Sequence, residues 1–481
     1  MRFLGIDLGT GSLKLAIVDE DGRETAFANA PYAVTSARPG WAETTVDVWY
    51  SALVSAASRL PANERDAVVG IGFSGQMHGV VPAAADGRAL RAAMLWPDTR
   101  ARDLLDAWPE PQPNPVAPGM AGPLLRWLAA NEREIAAATR WALQPKDWLR
   151  ARLAGAAPGS FVTDASDACA TALAHPSGEW DDALIERLGL PRAWFAPLAA
   201  SHETGGVLSA EAASALGLKA GIPMAVGAGD TPCAALGSGL SSAGDALLTT
   251  GTGGQIVVMC DAAPAPAHGL HTYRSATGAW YRMAAMQNVG VALEAVRGWL
   301  GHASWPEAYD DAFAANASAS VSFLPYLSGE RSPWMNPNAR GGWLGLGLDD
   351  TRGTMMRAAF EGVAFALRAG LDAIRASGTN LDAMRLAGGG SVDPRWRQLL
   401  ADALRVELHA VDCPNAATRG AAILGGIAAG HWRVDDLTAL APHATLAATP
   451  QPNASLDERL TRFLDLYRRA EDWFTLARGS A

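Results

Sequence analysis

Two glycine-threonine-glycine turns occupy corresponding places in the two halves of this 481-residue chain. Ile6-Asp7-Leu8-Gly9-Thr10-Gly11-Ser12 runs into a second apolar segment, residues 13–18, and Leu248-Thr249-Thr250-Gly251-Thr252-Gly253-Gly254 runs into another, residues 255–259. A tight strand-turn-strand of this kind exposes backbone N–H groups, and the missing Cβ lets an anion approach the loop. Asp7 sets a carboxylate beside the first turn, which makes sense where Mg²⁺ lies between that carboxylate and a phosphate. Either turn alone reads equally well as an ordinary hairpin. One in each half points to a nucleotide, its phosphates held between Thr10, Gly11 and Ser12 on one side and Gly251, Thr252 and Gly253 on the other. Lys14, just past the first turn, is either a cation for those phosphates or a solvated strand residue.

A third cluster, Gly388-Gly389-Gly390, follows the apolar residues 384–387 and precedes Ser391-Val392-Asp393-Pro394. Three consecutive glycines add chain entropy without packing, so an adenine and its ribose lying against that backbone is the expected reason for them. Asp393 and Pro394 have the types of an N-cap and a first helical position, and Asp393 is counted with the loop as a nucleotide contact. For a general base the candidate is Asp230, in Gly227-Ala228-Gly229-Asp230-Thr231-Pro232. A buried strand there delivers a carboxylate to a loop of small residues, and phosphoryl transfer to an alcohol needs an acceptor for the hydroxyl proton. The competing reading makes Asp230 the cap of a helix that begins near Pro232.

These groups need a scaffold. Residues 3–7, 13–18 and 24–28 read as a three-stranded meander, followed by a helix over 46–60 with Thr44 or Thr45 as N-cap and a buried strand over 68–73. The second half offers a matching hairpin within 246–258, then a strand over 384–387, the glycine loop and a helix. An internal duplication with a boundary near residues 237–244 therefore divides the chain into domains 1–240 and 241–481. Leu456, Leu460, Phe463, Leu464 and Tyr467 fall on one face of a C-terminal helix and are expected in a core.

Other chemistries are excluded. Gly70-Ile71-Gly72-Phe73-Ser74-Gly75 matches the dinucleotide fingerprint, but Gln76-Met77-His78-Gly79 and Pro82 leave no helix N-terminus for a pyrophosphate. There is no P-loop motif, and with three lysines in the chain a triphosphate must be met mainly by amides, hydroxyls and Mg²⁺. A net charge of −10 with no basic segment argues against nucleic acid and anionic membrane surfaces as partners. The chain lacks a long apolar span and enters its first strand without a leader, so a cytoplasmic protein is expected. Cys169, Cys233, Cys260 and Cys413 show no metal or redox spacing. Asn316-Ala317-Ser318 and Asn453-Ala454-Ser455 match the glycosylation tripeptide by chance.

In order and spacing the motifs resemble those of the FGGY carbohydrate kinases, and within them the xylulokinases. The residues that carry this resemblance are Gly5-Ile6-Asp7-Leu8-Gly9-Thr10, Gly75-Gln76-Met77-His78-Gly79, Leu95-Trp96-Pro97-Asp98-Thr99-Arg100, Pro145-Lys146-Asp147, Asp164-Ala165-Ser166-Asp167-Ala168, Gly227-Ala228-Gly229-Asp230, Phe323-Leu324-Pro325-Tyr326-Leu327-Ser328-Gly329-Glu330-Arg331-Ser332-Pro333 and the Gly388 to Gly390 loop. The resemblance implies an α/β fold of two actin-like, ribonuclease-H-like domains around an interdomain catalytic cleft, with the sugar mostly on the first and ATP mostly on the second. It makes Asp230 the proton acceptor, Asp7 the carboxylate that supports Mg²⁺, and Gln76, Met77 and His78 sugar contacts. Trp96 would stack on the sugar, while Asp98 and Arg100 either bond its hydroxyls or pair with each other. The implied reaction is ATP-dependent phosphorylation of D-xylulose at its terminal hydroxyl. Thr231, Pro97 and Leu124 depart from the usual pattern, so another ketopentose or a polyol stays open. A noncatalytic nucleotide switch on the same scaffold is the rival reading, and such a switch would have no use for Gln76-Met77-His78 or Asp230. The oligomeric state is open, with a homodimer as one candidate.

Overall fold

The computed structural model describes residues 1–110, 112, 114–175, 177–315 and 319–476; the Asn316-Ala317-Ser318 tripeptide lies outside the described residues. Strands Arg2–Leu8 (β1), Ser12–Val18 (β2) and Glu24–Pro31 (β3) form the expected antiparallel meander, with Asp7 directly across from Lys14. β1 is buried on both faces while β3 alternates in exposure, as an edge strand does. Val68–Gly75 (β4) runs parallel to β1 and sets Ser74 beside Asp7. Thr204–Val207 (β5), Pro223–Ala225 (β6) and Ala228–Gly229 (β7) complete a sheet of order β5-β6-β4-β1-β2-β3, with β7 also pairing β4. The β7 register places Ala228 against Ser74 and Gly229 against Gly75. Asp230 therefore leaves the sheet at the same end as Asp7, outside the carboxyl ends of parallel strands, where α/β sheets bind ligands.

The second half repeats this plan. Ala246–Thr250 (β8), Gly254–Cys260 (β9), His271–Arg274 (β10), Trp280–Met286 (β11), Ala383–Ala387 (β12), Glu407–Val411 (β13) and Ala444–Ala448 (β14) form a sheet of order β10-β11-β9-β8-β12-β13-β14. β8, β9 and β11 are the antiparallel meander, and β12 pairs in parallel with β8 as β4 does with β1. The third strand of this meander escapes the sequence reading. All seven residues of β11 are buried and include Arg282, so neither alternation nor an apolar run marks it.

Helices cover the sheets. The first half uses Val46–Ser58 (α1), Pro145–Leu153 (α2), Ala165–Cys169 (α3) and Asp230–Gly237 (α4). Thr45 stands at the N-cap of α1 without a side-chain bond, and the helix stops two residues short of the expected end. The second half uses Gly290–Trp299 (α5), Arg352–Ala376 (α6), Pro394–Leu404 (α7), Ala416–Ala428 (α8) and Ala454–Leu476 (α9). Leu456, Phe463 and Tyr467 of α9 enter the second core, with Leu460 and Leu464 packed beside them.

One helix crosses between the halves. α8 belongs to the second half by sequence, yet it lies against β1, β4 and α4 of the first. A Cβ on Gly5 would stand 1.8 Å from the Thr418 carbonyl oxygen, one on Gly72 1.8 Å from that of Ala421, and one on Gly237 1.9 Å from that of Ala416. Those glycines, and Gly70 with them, let helix and sheet backbones touch. The fingerprint-like glycines of β4 therefore serve packing, which agrees with the exclusion of a dinucleotide site. Arg419 of α8 donates to the carbonyls of Gly22, Gly237 and Leu440 and so pins segments of both halves to one guanidinium.

Candidate active site

The first turn is braced from behind. Gly9 N–H donates to the Ser12 carbonyl at 3.0 Å, Tyr32 N–H to that of Gly11 at 2.9 Å, and Gln76 Nε2 to that of Gly9 at 3.2 Å. The Tyr32 hydroxyl donates to the same Gly9 oxygen. In a trans peptide the carbonyl and the following N–H point in opposite directions, so tying back the Gly9 and Gly11 carbonyls turns the N–H groups of Thr10 and Ser12 to the other side, where an anion can meet them. Tyr32 was not foreseen, because an isolated tyrosine after a strand carries no local signal. Gln76, expected at the sugar, uses its amide nitrogen to hold the turn and leaves Oε1 buried without a protein partner.

Asp7, 5% exposed, accepts from Ser74 Oγ at 2.7 Å through Oδ1. Burial raises its pKa, and the Ser74 bond and the charge of Lys14 act against that rise. Lys14, at its register position across from Asp7, is thus a neighbour of the carboxylate. Oδ2 of Asp7 remains for a cation. Among the described residues no group of three or more His, Cys, Asp or Glu side chains could cage a metal. That donor set fits Mg²⁺, which takes one or two carboxylates and draws its other ligands from phosphates and water.

Asp230 is the first residue of α4, with Gly229 at the cap position. The half-buried carboxylate accepts from Thr231 N–H at 2.7 Å. Burial, then the charge of Asp7, pushes its pKa up to about 6. The segment is held from below: Gly229 N–H donates to Ser166 Oγ at 3.0 Å, and Ser166 and Ser201 donate to Asp164. Lys146 Nζ lies 2.7, 3.0 and 3.1 Å from carboxylate oxygens of Asp147, Asp164 and Asp167. Burial opposes the Lys146 charge, yet the three carboxylates hold its pKa above the ordinary value. The Pro145 and Asp164 motifs thus support the loop that carries Asp230.

His78 adopts a left-handed backbone, φ 75°, a conformation that costs a non-glycine residue on the order of 1–2 kcal/mol and is found at functional sites. Its Nδ1 lies 2.7 Å from the Ala170 carbonyl, which only accepts, so the proton belongs on Nδ1 and Nε2 keeps a lone pair. Burial lowers its pKa, and Arg331 lowers it further despite the Ala170 bond. Met77 packs under Gly229, where a Cβ would come within 2.6 Å of Met77 Cγ. Trp96, 41% exposed, donates from Nε1 to Thr10 Oγ1 at 2.8 Å, which joins the expected sugar platform to the first turn. Asp98 requires correction: fully buried, it accepts from Ala42 N–H and from the backbone and guanidinium of Arg100, with no oxygen left for a sugar. Arg100 also bonds Glu43 and lies 3.6 Å over the Trp41 ring.

The second turn mirrors the first. Gly251 N–H donates to the Gly253 carbonyl at 2.9 Å; the carbonyls of Gly251 and Thr252 accept from Gly290 and Val291 at the start of α5, at 2.9 and 3.0 Å. The N–H groups of Thr252 and Gly253 then point away from α5. Gly388, at φ 102°, would place a Cβ 2.2 Å from the Thr250 carbonyl oxygen, and Gly390 N–H donates to that oxygen at 3.2 Å. Gly389 has nothing within 4 Å of the corresponding Cβ position, so open space and not packing surrounds it. Gly251, Gly253, Gln287, Arg331, Gly388 and Gly389 line a cavity of about 510 Å³. Asp393 is the second correction: it caps α7 through Arg395 N–H at 2.8 Å and pairs with the Arg395 guanidinium, which turns it to the helix and not to the cavity.

Family models of the FGGY family of carbohydrate kinases match this geometry's two halves, the N-terminal domain over residues 2–237 and the C-terminal domain over 246–429. The chain is 34% identical to the xylulose kinase of Escherichia coli (strain K12) over 413 residues, 83% of this chain and 84% of that protein. The crystal structure of xylulose kinase from Rhodospirillum rubrum superposes with a TM-score of 0.90 at 26% identity, covering 99% of this chain and 100% of that one. A gluconate kinase from Lactobacillus acidophilus also reaches 0.90, at 22% identity and 98% coverage of each chain, so the fold is shared with an enzyme named for a different sugar. No helix among the described residues is long and apolar enough to cross a membrane.

Proposed function

Because the chain belongs to the FGGY family of carbohydrate kinases, we propose that it transfers the γ-phosphoryl group of ATP to the terminal 5-hydroxyl of D-xylulose. The observation that carries the chemistry is Asp230: a half-buried carboxylate with its pKa raised to about 6, at the end of the sheet that carries Asp7 and the braced first turn. A base with that pKa is ionised at neutral pH yet binds a proton readily.

Asp230 accepts the proton of the 5-hydroxyl as its oxygen bonds to the γ-phosphorus; the bond from that phosphorus to the β–γ bridging oxygen breaks, and ADP leaves with the electron pair. The N–H groups of Thr10 and Ser12 on one side and Thr252 and Gly253 on the other hold the phosphates from opposite halves. Asp7 Oδ2 would help hold Mg²⁺, which when bound offsets phosphate charge. His78 Nε2 accepts a hydroxyl of the sugar, and the Trp96 ring covers its apolar face. Closing the halves about α4 and α8 excludes water, the competing acceptor. Support for D-xylulose comes from the xylulose kinases among the relatives, which cover most of the chain.

ADP release with ATP and Mg²⁺, followed across D-xylulose, L-xylulose, D- and L-ribulose, arabinitol and gluconate, tests this reading. The expected result is a kcat/KM for D-xylulose at least tenfold above every other sugar. Slow release that no sugar accelerates would overturn the kinase reading, and a clear preference for another sugar would overturn the choice of substrate.

A further inference from the structure

Arg331 belongs to the second half but reaches toward the first. Its guanidinium carbon lies 5.9 Å from the Trp96 ring centroid, and Trp96 is bonded to Thr10 of the first turn. The same residue lines the cavity formed by Gly251, Gly253, Gly388 and Gly389. Its charge also reaches into the sugar side: burial first, then Arg331, lowers the pKa of His78 against the Ala170 bond, and burial, His78 and Arg331 in that order bring the pKa of His271 down to about 4. One exposed guanidinium therefore stands where the nucleotide cavity, the first turn and the sugar residues meet.

Its backbone is fixed. Ser332 N–H donates to the Ala285 carbonyl at 3.0 Å, Ser332 Oγ to that of Gly269 at 2.6 Å, and Arg331 N–H to Glu330 Oε1 at 2.8 Å. Glu330, 3% exposed, is the nearest carboxylate in sequence, but it also accepts from Gln287 N–H at 2.6 Å and from Asn288 Nδ2 at 3.2 Å. It holds the turn and does not neutralise the guanidinium. Two other cations are engaged, Lys146 among three carboxylates and Arg100 with Asp98 and Glu43, while Lys14 lies on the first half, across the strand pair from Asp7. A phosphoryl group in flight carries its charge on three equatorial oxygens and needs cationic donors aimed at them. A guanidinium suits that geometry because its planar fork can bond two oxygens at once.

We propose that Arg331 crosses the cleft and bonds the non-bridging oxygens of the phosphoryl group during its transfer, so that the nucleotide half completes the charge environment around Asp230. This rests on the kinase reading above.

The test compares wild type, Arg331→Met and Arg331→Lys as full-length proteins. The side chain is exposed, so folding and melting temperature stay unchanged. Arg331→Met should lower kcat by about 10²- to 10³-fold while KM for D-xylulose and Kd for ADP change less than about threefold. Arg331→Lys should recover only part of kcat, because a point charge lacks the fork. In a binding assay, wild type with D-xylulose and Mg²⁺ should hold ADP with aluminium fluoride, a mimic of the transferring group, more tightly than ADP alone, and Arg331→Met should lose that preference. If Arg331→Met keeps kcat within about threefold of wild type, or weakens ADP as much as it slows turnover, Arg331 is not a transition-state group. Wild type without sugar-dependent turnover would overturn the kinase reading and this proposal with it, whereas a fully active variant overturns this proposal alone.

Discussion

Replacing Asp230 with Asn should abolish turnover and at the same time stabilise the folded protein above neutral pH. The carboxyl pKa moves from 3.8 to about 6 in the fold, chiefly because burial and Asp7 disfavour the charge. At 1.36 kcal/mol per unit the shift corresponds to roughly 3 kcal/mol at most, and the partial exposure of the residue to screening solvent brings the usable estimate down to about 1–2 kcal/mol. The sign follows from proton uptake: between about pH 4 and pH 6 the folded state binds the proton and the unfolded chain does not, so wild-type stability falls as pH rises through that window and then levels off. Asparagine does not ionise, and its oxygen can still accept the Thr231 N–H bond. The variant's advantage should be absent near pH 4 and complete above about pH 7. Urea unfolding at both pH values reads the difference directly; in thermal melts about 1–2 kcal/mol corresponds to roughly 2–6 °C for a cooperative unit the size of the first half. Wild-type turnover, measured in parallel, should fall with unit slope as pH drops through about 6. A variant no more stable than wild type at pH 8, or an advantage independent of pH, would refute the claim that the site disfavours this charge.

Other substitutions probe the remaining parts. Gly388→Ala should lower the melting temperature and cost about 1–3 kcal/mol, since a Cβ there meets the Thr250 carbonyl at a positive φ. Gly389→Ala should leave stability within about 0.5 kcal/mol, because open space surrounds that position, and instead weaken ATP on the order of tenfold by calorimetry if adenosine occupies that space. Lys146→Met should destabilise by about 3–5 kcal/mol at pH 8 and by less at pH 5, where the carboxylates left behind can protonate, as urea midpoints will report. Tyr32→Phe should cost about 0.5–1.5 kcal/mol and raise Kd for ATP a few-fold by loosening the first turn, with the melting curve and titration as readouts.

Much of this molecule was legible from local pattern. The β1–β2–β3 meander and α1 follow from residue spacing, and the two turns from glycine placement. β11 was illegible because burial on both faces erases alternation, and Arg282 within it mimics a surface position. Asp98 and Asp230 illustrate the limit for single residues. Both are aspartates in motifs of the same resemblance, yet one is closed off by Arg100 and Ala42 while the other stays partly exposed at the end of the sheet. The Arg100 pairing was available two residues along the chain, but the Ala42 contact that completes the closure of Asp98, and the approach of Asp7 to Asp230, come from distant segments. Gly70 and Gly72 show the converse: they match a nucleotide motif, and the helix that explains them, α8, comes from the opposite end of the chain.

By itself the sequence determined which backbone shapes are permitted and which functional groups are available: glycines where turns must admit an anion, carboxylates at strand ends, few lysines, and a repeated strand order. Only the tertiary structure decided what those groups are. Parallel pairing of β7 and β1 with β4 brings Asp230 to the end of the sheet that holds Asp7, and burial there, with the charge of Asp7, raises the basicity of Asp230. The physical reason is range. Torsion preferences and periodicity act over a few residues, whereas burial, electrostatic field and the commitment of a hydrogen bond are sums over groups that meet only after the chain has folded.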